Sequence, residues 1–194
     1  PESAIRAILD QHMDDAPEVA EEPESDLATI AAELLVQGEA AQAIALLQPA
    51  IGEQAEDTLL LLLGQALAMD GQFDAAEQVL TAVKDQVVHK TALNGARTHI
   101  AFLRQAVGMP ARESLEQRLA QDAGDSEASH QLAVLDLAQQ RYAQALAALL
   151  ELFQRDRGYA EGTPHRVLLE VFNVLGSDHP LSIEYRRKLY QALY

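Results

Sequence analysis

The chain has 194 residues and a formal net charge of −16 at pH 7, with 48% hydrophobic but only 5% aromatic residues. This length suits one medium domain or an array of repeats, and the acidic balance argues against nucleic-acid binding, because phosphate contacts need clustered cations. The chain contains no cysteine, which excludes disulfides and cysteine-ligated zinc.

The first predicted element is a short amphipathic helix at residues 1–13, where Ile5, Ile8 and Leu9 recur at helical spacing. An acidic, proline-containing stretch at 14–24 follows, and we expect a linker there. A boundary so near the first residue suggests that this helix belongs to a domain absent from the chain. No apolar run is long enough to span a membrane and no secretory signal is present, so we expect a cytoplasmic protein without a membrane partner.

Three segments within residues 25–156 align without gaps, at 37–47, 69–80 and 138–150. The offset from Gly38 to Gly71 is 33 residues and that from Phe73 to Tyr142 is 69 residues, close to one and two repeats of about 34 residues. Each copy carries two small residues twelve positions apart, which would let two helices approach closely. The pairs are Ala31 with Ala43, Gly64 with Ala76, and Ala133 with Ala145.

The segment between the second and last copies keeps the repeat length but loses this signature, and we interpret it as a degenerate third repeat. It predicts one long helix with an apolar stripe of Leu93, Ala96, Ile100, Leu103 and Val107. Residues 157–194 then predict two helices, with Gly176 at the C-terminal cap of the first. Because stacked repeats need a terminal unit over their exposed core, this pair is predicted to cap the array.

The last helix is predicted to have two apolar faces. One contains Leu181, Tyr185, Leu189 and Leu193 and would close the core, while the other contains Ile183, Tyr190 and Tyr194 beside Arg186 and Arg187. Tyrosine and arginine dominate interface hot spots because they bury area at low entropic cost. The residues alone leave open whether the second face packs inside or binds a partner.

A second candidate site is a polar stripe on the long helix. Lys90, Asn94 and Arg97 share one face and could line a groove that attracts acidic peptide, although a solvated helix face explains the same pattern. The six histidines lack the i, i+4 spacing of a helical metal site, and motifs of enzyme active sites are absent. We therefore predict a non-enzymatic protein without catalytic residues, cofactor or metal.

The segment 63–80, LGQALAMDGQFDAAEQVL, resembles the tetratricopeptide repeat. The whole chain resembles the bacterial thioredoxin-like proteins with a C-terminal tetratricopeptide tail, the YbbN/CnoX chaperedoxins, in PESAIRAIL, the acidic linker, the repeats and YRRKLYQALY. The resemblance implies an all-α, tetratricopeptide-repeat-like α-solenoid of about three repeats, the third degenerate, closed by a C-terminal helix pair. It also makes residues 1–13 the last helix of a missing thioredoxin-like domain.

The same resemblance implies a co-chaperone that holds unfolded client proteins and docks to the GroEL-type chaperonin through its C-terminal helix. One alternative is a generic peptide-binding tetratricopeptide adaptor without a chaperonin link. A second alternative is that the chain is part of a thioredoxin-type oxidoreductase whose redox domain is absent here. The chain has no cysteine that could carry out thiol exchange. The sequence leaves the clients and the oligomeric state open.

Overall fold

The computed structural model describes residues 23–52 and 55–193. The predicted helix 1–13 and nearly all of the predicted linker therefore lie outside the described residues. The first described helix begins at Pro23, two residues before the predicted start of the repeats. Proline is tolerated in the first helical turn because its missing N–H needs no partner there, so Pro23 starts a helix here although the sequence analysis placed it in the linker.

Ten α-helices and no strand occur in the described residues, which confirms the all-α prediction. They are α1 (Pro23–Val36), α2 (Ala40–Leu47), α3 (Asp57–Met69), α4 (Phe73–Thr81), α5 (Lys90–Ala106), α6 (Arg112–Gln121), α7 (Ser126–Ala138), α8 (Tyr142–Arg155), α9 (Thr163–Leu175) and α10 (Pro180–Leu193). The segment predicted as about three repeats holds four helix pairs, because the degenerate repeat and the copy after it each form a pair. None of the described helices is both long and apolar enough to cross a membrane.

The paired small residues lie where the two helices of a repeat touch. All five alanines of the three aligned pairs are fully buried, and Gly64 is buried with them. A Cβ atom built on Gly64 would lie only 2.7 Å from Leu80 Cδ2, closer than packed side chains tolerate. The repeat alignment therefore located the close contact between α3 and α4 correctly, and glycine permits it because it has no side chain.

Helix α5 lies between two hydrophobic cores and belongs to both. Its Leu93 and Ile100 pack into the core formed by α1 to α4, while Phe102, on another side of the helix, packs into the core of α7 to α10. Helix α9, the first of the C-terminal pair, reaches back to α5, where a Cβ on Gly95 would be 3.9 Å from Val174 Cγ1. The degenerate repeat thus joins the two halves of the solenoid.

The C-terminal pair caps the array as the sequence predicts. Val167, Leu168, Val171 and Phe172 of α9 are buried against α8 and α10. Gly176 ends α9 with φ +87°, a backbone region that glycine enters without the steric penalty of a Cβ atom. The last helix is therefore held by a packed apolar face, and its opposite face determines what the end of the solenoid presents.

Candidate functional site

One face of α10 is exposed. Ile183 and Tyr190 are 60% and 66% exposed, and Arg186 and Arg187 between them are also exposed. These four residues of the predicted binding face lie together on one side of the helix, because seven residues make nearly two full turns. Tyr194, the fifth predicted residue, lies outside the described residues.

The opposite face of α10 closes the core, with one difference from the prediction. Tyr185 and Leu189 are buried, and Ser182 joins them with no exposed surface. Leu193 was predicted to be on this face but stands at its border, 41% exposed. A helix advances 100° per residue, so a stripe of spacing four drifts around the axis and carries Leu193 toward the exposed side.

A cleft of about 420 Å³ lies between α9 and α10 beside this exposed face. Tyr190, Leu193 and Leu169 form its rim, and the ring of Phe172 lies at its base. The Arg186 guanidinium carbon is 5.3 Å from the centroid of that ring, a cation–π distance. The end of the solenoid therefore presents apolar surface next to arginine, the combination typical of a protein-binding patch.

A second concavity runs along the inner side of helices α1, α3 and α5. It consists of two adjoining cavities of about 570 Å³ and 510 Å³, and we call it the concave groove. Leu62 and Gln65 of α3, His99 of α5 and Gln140 of the α7–α8 turn line both cavities. These four residues therefore mark the centre of the concave groove.

Lys90, Asn94 and Arg97 are exposed, but none of them is among the described residues that line the concave groove. Projection of α5 at 100° per residue puts them on the side opposite the lining residues Ala92, Gly95 and His99. The three residues therefore share a face of α5 that points away from this groove. Their role in binding stays a prediction.

His99 is the buried polar residue of the concave groove, with 8% of its surface exposed. Its Nε2 lies 3.0 Å from the carbonyl oxygen of Ala138, and its Nδ1 lies 3.4 Å from Nε2 of Gln140. A carbonyl can only accept, so Nε2 donates the proton and Nδ1 accepts from the Gln140 amide. Burial lowers the pKa of His99, and the bond to Ala138 offsets part of that shift.

We predict a pH dependence of stability that originates at His99. Because its pKa in the folded chain is lower than its ordinary value of 6.5, the stability contributed by neutral His99 is complete above that value. This stability is lost as the pH falls through the folded-state pKa. In urea unfolding at pH 7 and about pH 5, the wild type should lose more stability than His99→Gln, which keeps an N–H donor. Equal losses would contradict a buried neutral histidine.

Gln65, His99 and Gln140 are not among the site residues that the sequence predicts, although one signal pointed to Gln140. In the alignment of Phe73 with Tyr142, Gln140 occupies the position of Gly71. Gly38, Gly71 and Gly108 follow their helices with φ between +79° and +83°, and Gln140 has φ +55° in the equivalent turn. A glutamine at a glycine position was readable from the sequence, but its placement in a groove was not.

Two family matches cover most of the described chain, and both are described as tetratricopeptide repeat. One matches residues 34–100 and the other residues 105–194. Together with the paired helices and their small-residue contacts, they show that the chain is an α-solenoid containing tetratricopeptide repeats. Repeats of this kind form extended surfaces that bind other proteins, so the chain is a protein-interaction scaffold.

Among solved structures, the chain is similar to a domain of a Vibrio parahaemolyticus protein of unknown function. The two are 27% identical, and the match covers 88% of this chain and 99% of the other, with a TM-score of 0.37. No curated protein matches the chain.

Proposed function

We propose that this chain is the repeat region of a thioredoxin-like co-chaperone of the bacterial cytoplasm. In this proposal it holds unfolded client proteins and docks to a GroEL-type chaperonin through the exposed face of α10. The mechanism is binding by shape and apolar contact, without a chemical step on the client.

The observation that carries the docking proposal is the division of α10 into two faces. Tyr185 and Leu189 are buried and hold the helix on the solenoid, while Ile183 and Tyr190 remain more than half exposed. A helix that served only to cap the array would need the first face alone. The second face, edged by Arg186 and Arg187, has the residue types that contribute most to protein interfaces.

The test is to measure direct binding of the intact chain to purified GroEL-type chaperonin by biolayer interferometry. We expect a saturable binding response. We also expect the chain to suppress aggregation of a guanidinium-denatured test protein that is diluted into a solution containing it. If the chain suppresses aggregation but does not bind the chaperonin, it is a peptide-binding adaptor without a chaperonin link. If it does neither, the co-chaperone proposal is wrong.

A further inference from the structure

The concave groove is lined without charge, in a chain whose charged residues make up 23% of the sequence. Among the described residues that line its two cavities there is no Asp, Glu, Lys or Arg. Polarity comes instead from glutamine amides, a threonine and two histidines, and the remaining lining is aliphatic or small with one tyrosine and one methionine. An acidic carboxylate would find no cation there, and a cationic segment would find no acid.

Gln140 places a side chain in this groove although its backbone conformation is one that favours glycine. Its φ of +55° lies in the left-handed region, where a residue with a Cβ atom is strained and glycine is not. Three other turns of the solenoid have glycine in the corresponding conformation. Strained residues of this kind persist mainly where their side chain has a use, and the Gln140 amide points toward His99 at 3.4 Å.

Gln65 and Gln140 line the groove from two different elements, α3 and the α7–α8 turn. Each amide offers both a donor and an acceptor, which is the complement of a peptide group in an extended chain. Aliphatic surface from Leu62, Val88 and Val174 surrounds them. The groove can therefore satisfy backbone polar groups and bury uncharged side chains at the same time.

We propose that the concave groove holds extended, uncharged segments of unfolded polypeptides, with Gln65 and Gln140 pairing with backbone N–H and C=O groups. This inference rests on the proposed client-holding function and adds its specificity. Segments rich in aliphatic residues are accepted, and acidic segments or C-terminal carboxylates are rejected. Gln140 is a specificity-determining residue of the groove.

The probe is a fluorescent, N-acetylated and C-amidated nonapeptide of alternating leucine and asparagine, measured by anisotropy with the full chain. It is expected to bind at least about tenfold more tightly than the same peptide with aspartate in place of asparagine. Gln140→Gly should weaken its binding about tenfold, while the midpoint of urea unfolding changes little, because relief of backbone strain offsets the lost hydrogen bond to His99. A substitution that weakens binding while leaving the stability of the fold near that of the wild type separates recognition from structure.

Two control variants test whether the amide group and its position in the groove are what binding requires. Gln140→Asn keeps the amide at a residue type that tolerates the left-handed region, so it should retain more binding than Gln140→Gly. Gln105→Ala changes an exposed glutamine of α5 that is not among the lining residues, so it should bind like the wild type.

Wild-type affinity of Gln140→Gly, or equal affinity for the aspartate peptide, would overturn the inference. So would dissociation of a dimer as the probe binds, measured by light scattering, because the groove would then be an interface between two copies. If these tests fail while the chain still suppresses aggregation of denatured protein, the client-holding proposal survives with another surface. If suppression of aggregation fails as well, both proposals are wrong.

Discussion

Replacing Asp136 with alanine is expected to lower the free energy of unfolding by about 3 kcal/mol, near the lower bound for breaking a buried ion pair. Asp136 of α7 is only 4% exposed. Its Oδ1 accepts hydrogen bonds from Arg112 at the start of α6 and, at 2.8 Å, from Arg141 before α8. Alanine would leave both guanidinium groups without this acceptor, although each is partly exposed and can still reach water.

The comparison variant is Glu127→Ala, which removes an exposed carboxylate that accepts from Arg118 at 2.8 Å. Exposed pairs contribute less than about 1 kcal/mol, so urea unfolding followed by circular dichroism should separate the two variants clearly. Asp136→Asn keeps an acceptor oxygen and should fall between them. Equal losses for Asp136→Ala and Glu127→Ala would show that the buried carboxylate is not what joins these helices.

The Asp136 network also bears on the concave groove. The backbone N–H of Arg141 donates to the carbonyl oxygen of Asp136 at 2.8 Å, while the Arg141 side chain bonds to the Asp136 carboxylate. These two bonds close the turn that contains Gln140. We therefore expect Asp136→Ala to loosen this turn and to weaken binding of uncharged peptide as well as stability.

Replacing Tyr190 with alanine is expected to weaken docking to the chaperonin by about 2 kcal/mol, roughly a 30-fold loss of affinity. Tyr190 is 66% exposed and forms the rim of the cleft between α9 and α10. Its ring would bury a large area in a partner while its hydroxyl keeps a polar contact. Because Tyr190 lies outside the buried face of α10, its substitution should change stability less than substitution of Tyr185 or Leu189 would.

Val107→Ala provides the control, because Val107 is 69% exposed but follows α5, outside the described lining of the cleft. Binding and urea unfolding should be measured on the same preparations. Point substitution is more informative than deletion of the last nine residues, since that deletion would also remove the buried Leu189. Unchanged affinity of Tyr190→Ala would exclude this face as the docking surface.

Much of the fold could be predicted because repeat packing leaves a local signature. The spacing of Gly64 and Ala76 within one repeat predicted a helix contact that the structure places against Leu80. Gly176 predicted the end of α9 for a similar reason, since a backbone with positive φ favours glycine wherever it occurs. Such features depend on residues within about 34 positions of each other, a distance that a sequence alignment can follow.

The candidate binding surfaces could likewise be predicted only in part from the sequence. The sequence by itself determined that the last helix has two faces, because helical periodicity assigns Tyr185 and Tyr190 to different sides. Only the tertiary structure decided that the face with Tyr190 is exposed and that Leu193 is at its border, since exposure depends on where α8 and α9 lie. The concave groove could not be predicted from the sequence for the same physical reason. Gln65, His99 and Gln140 span about 75 positions of the sequence and come together only when the repeats stack.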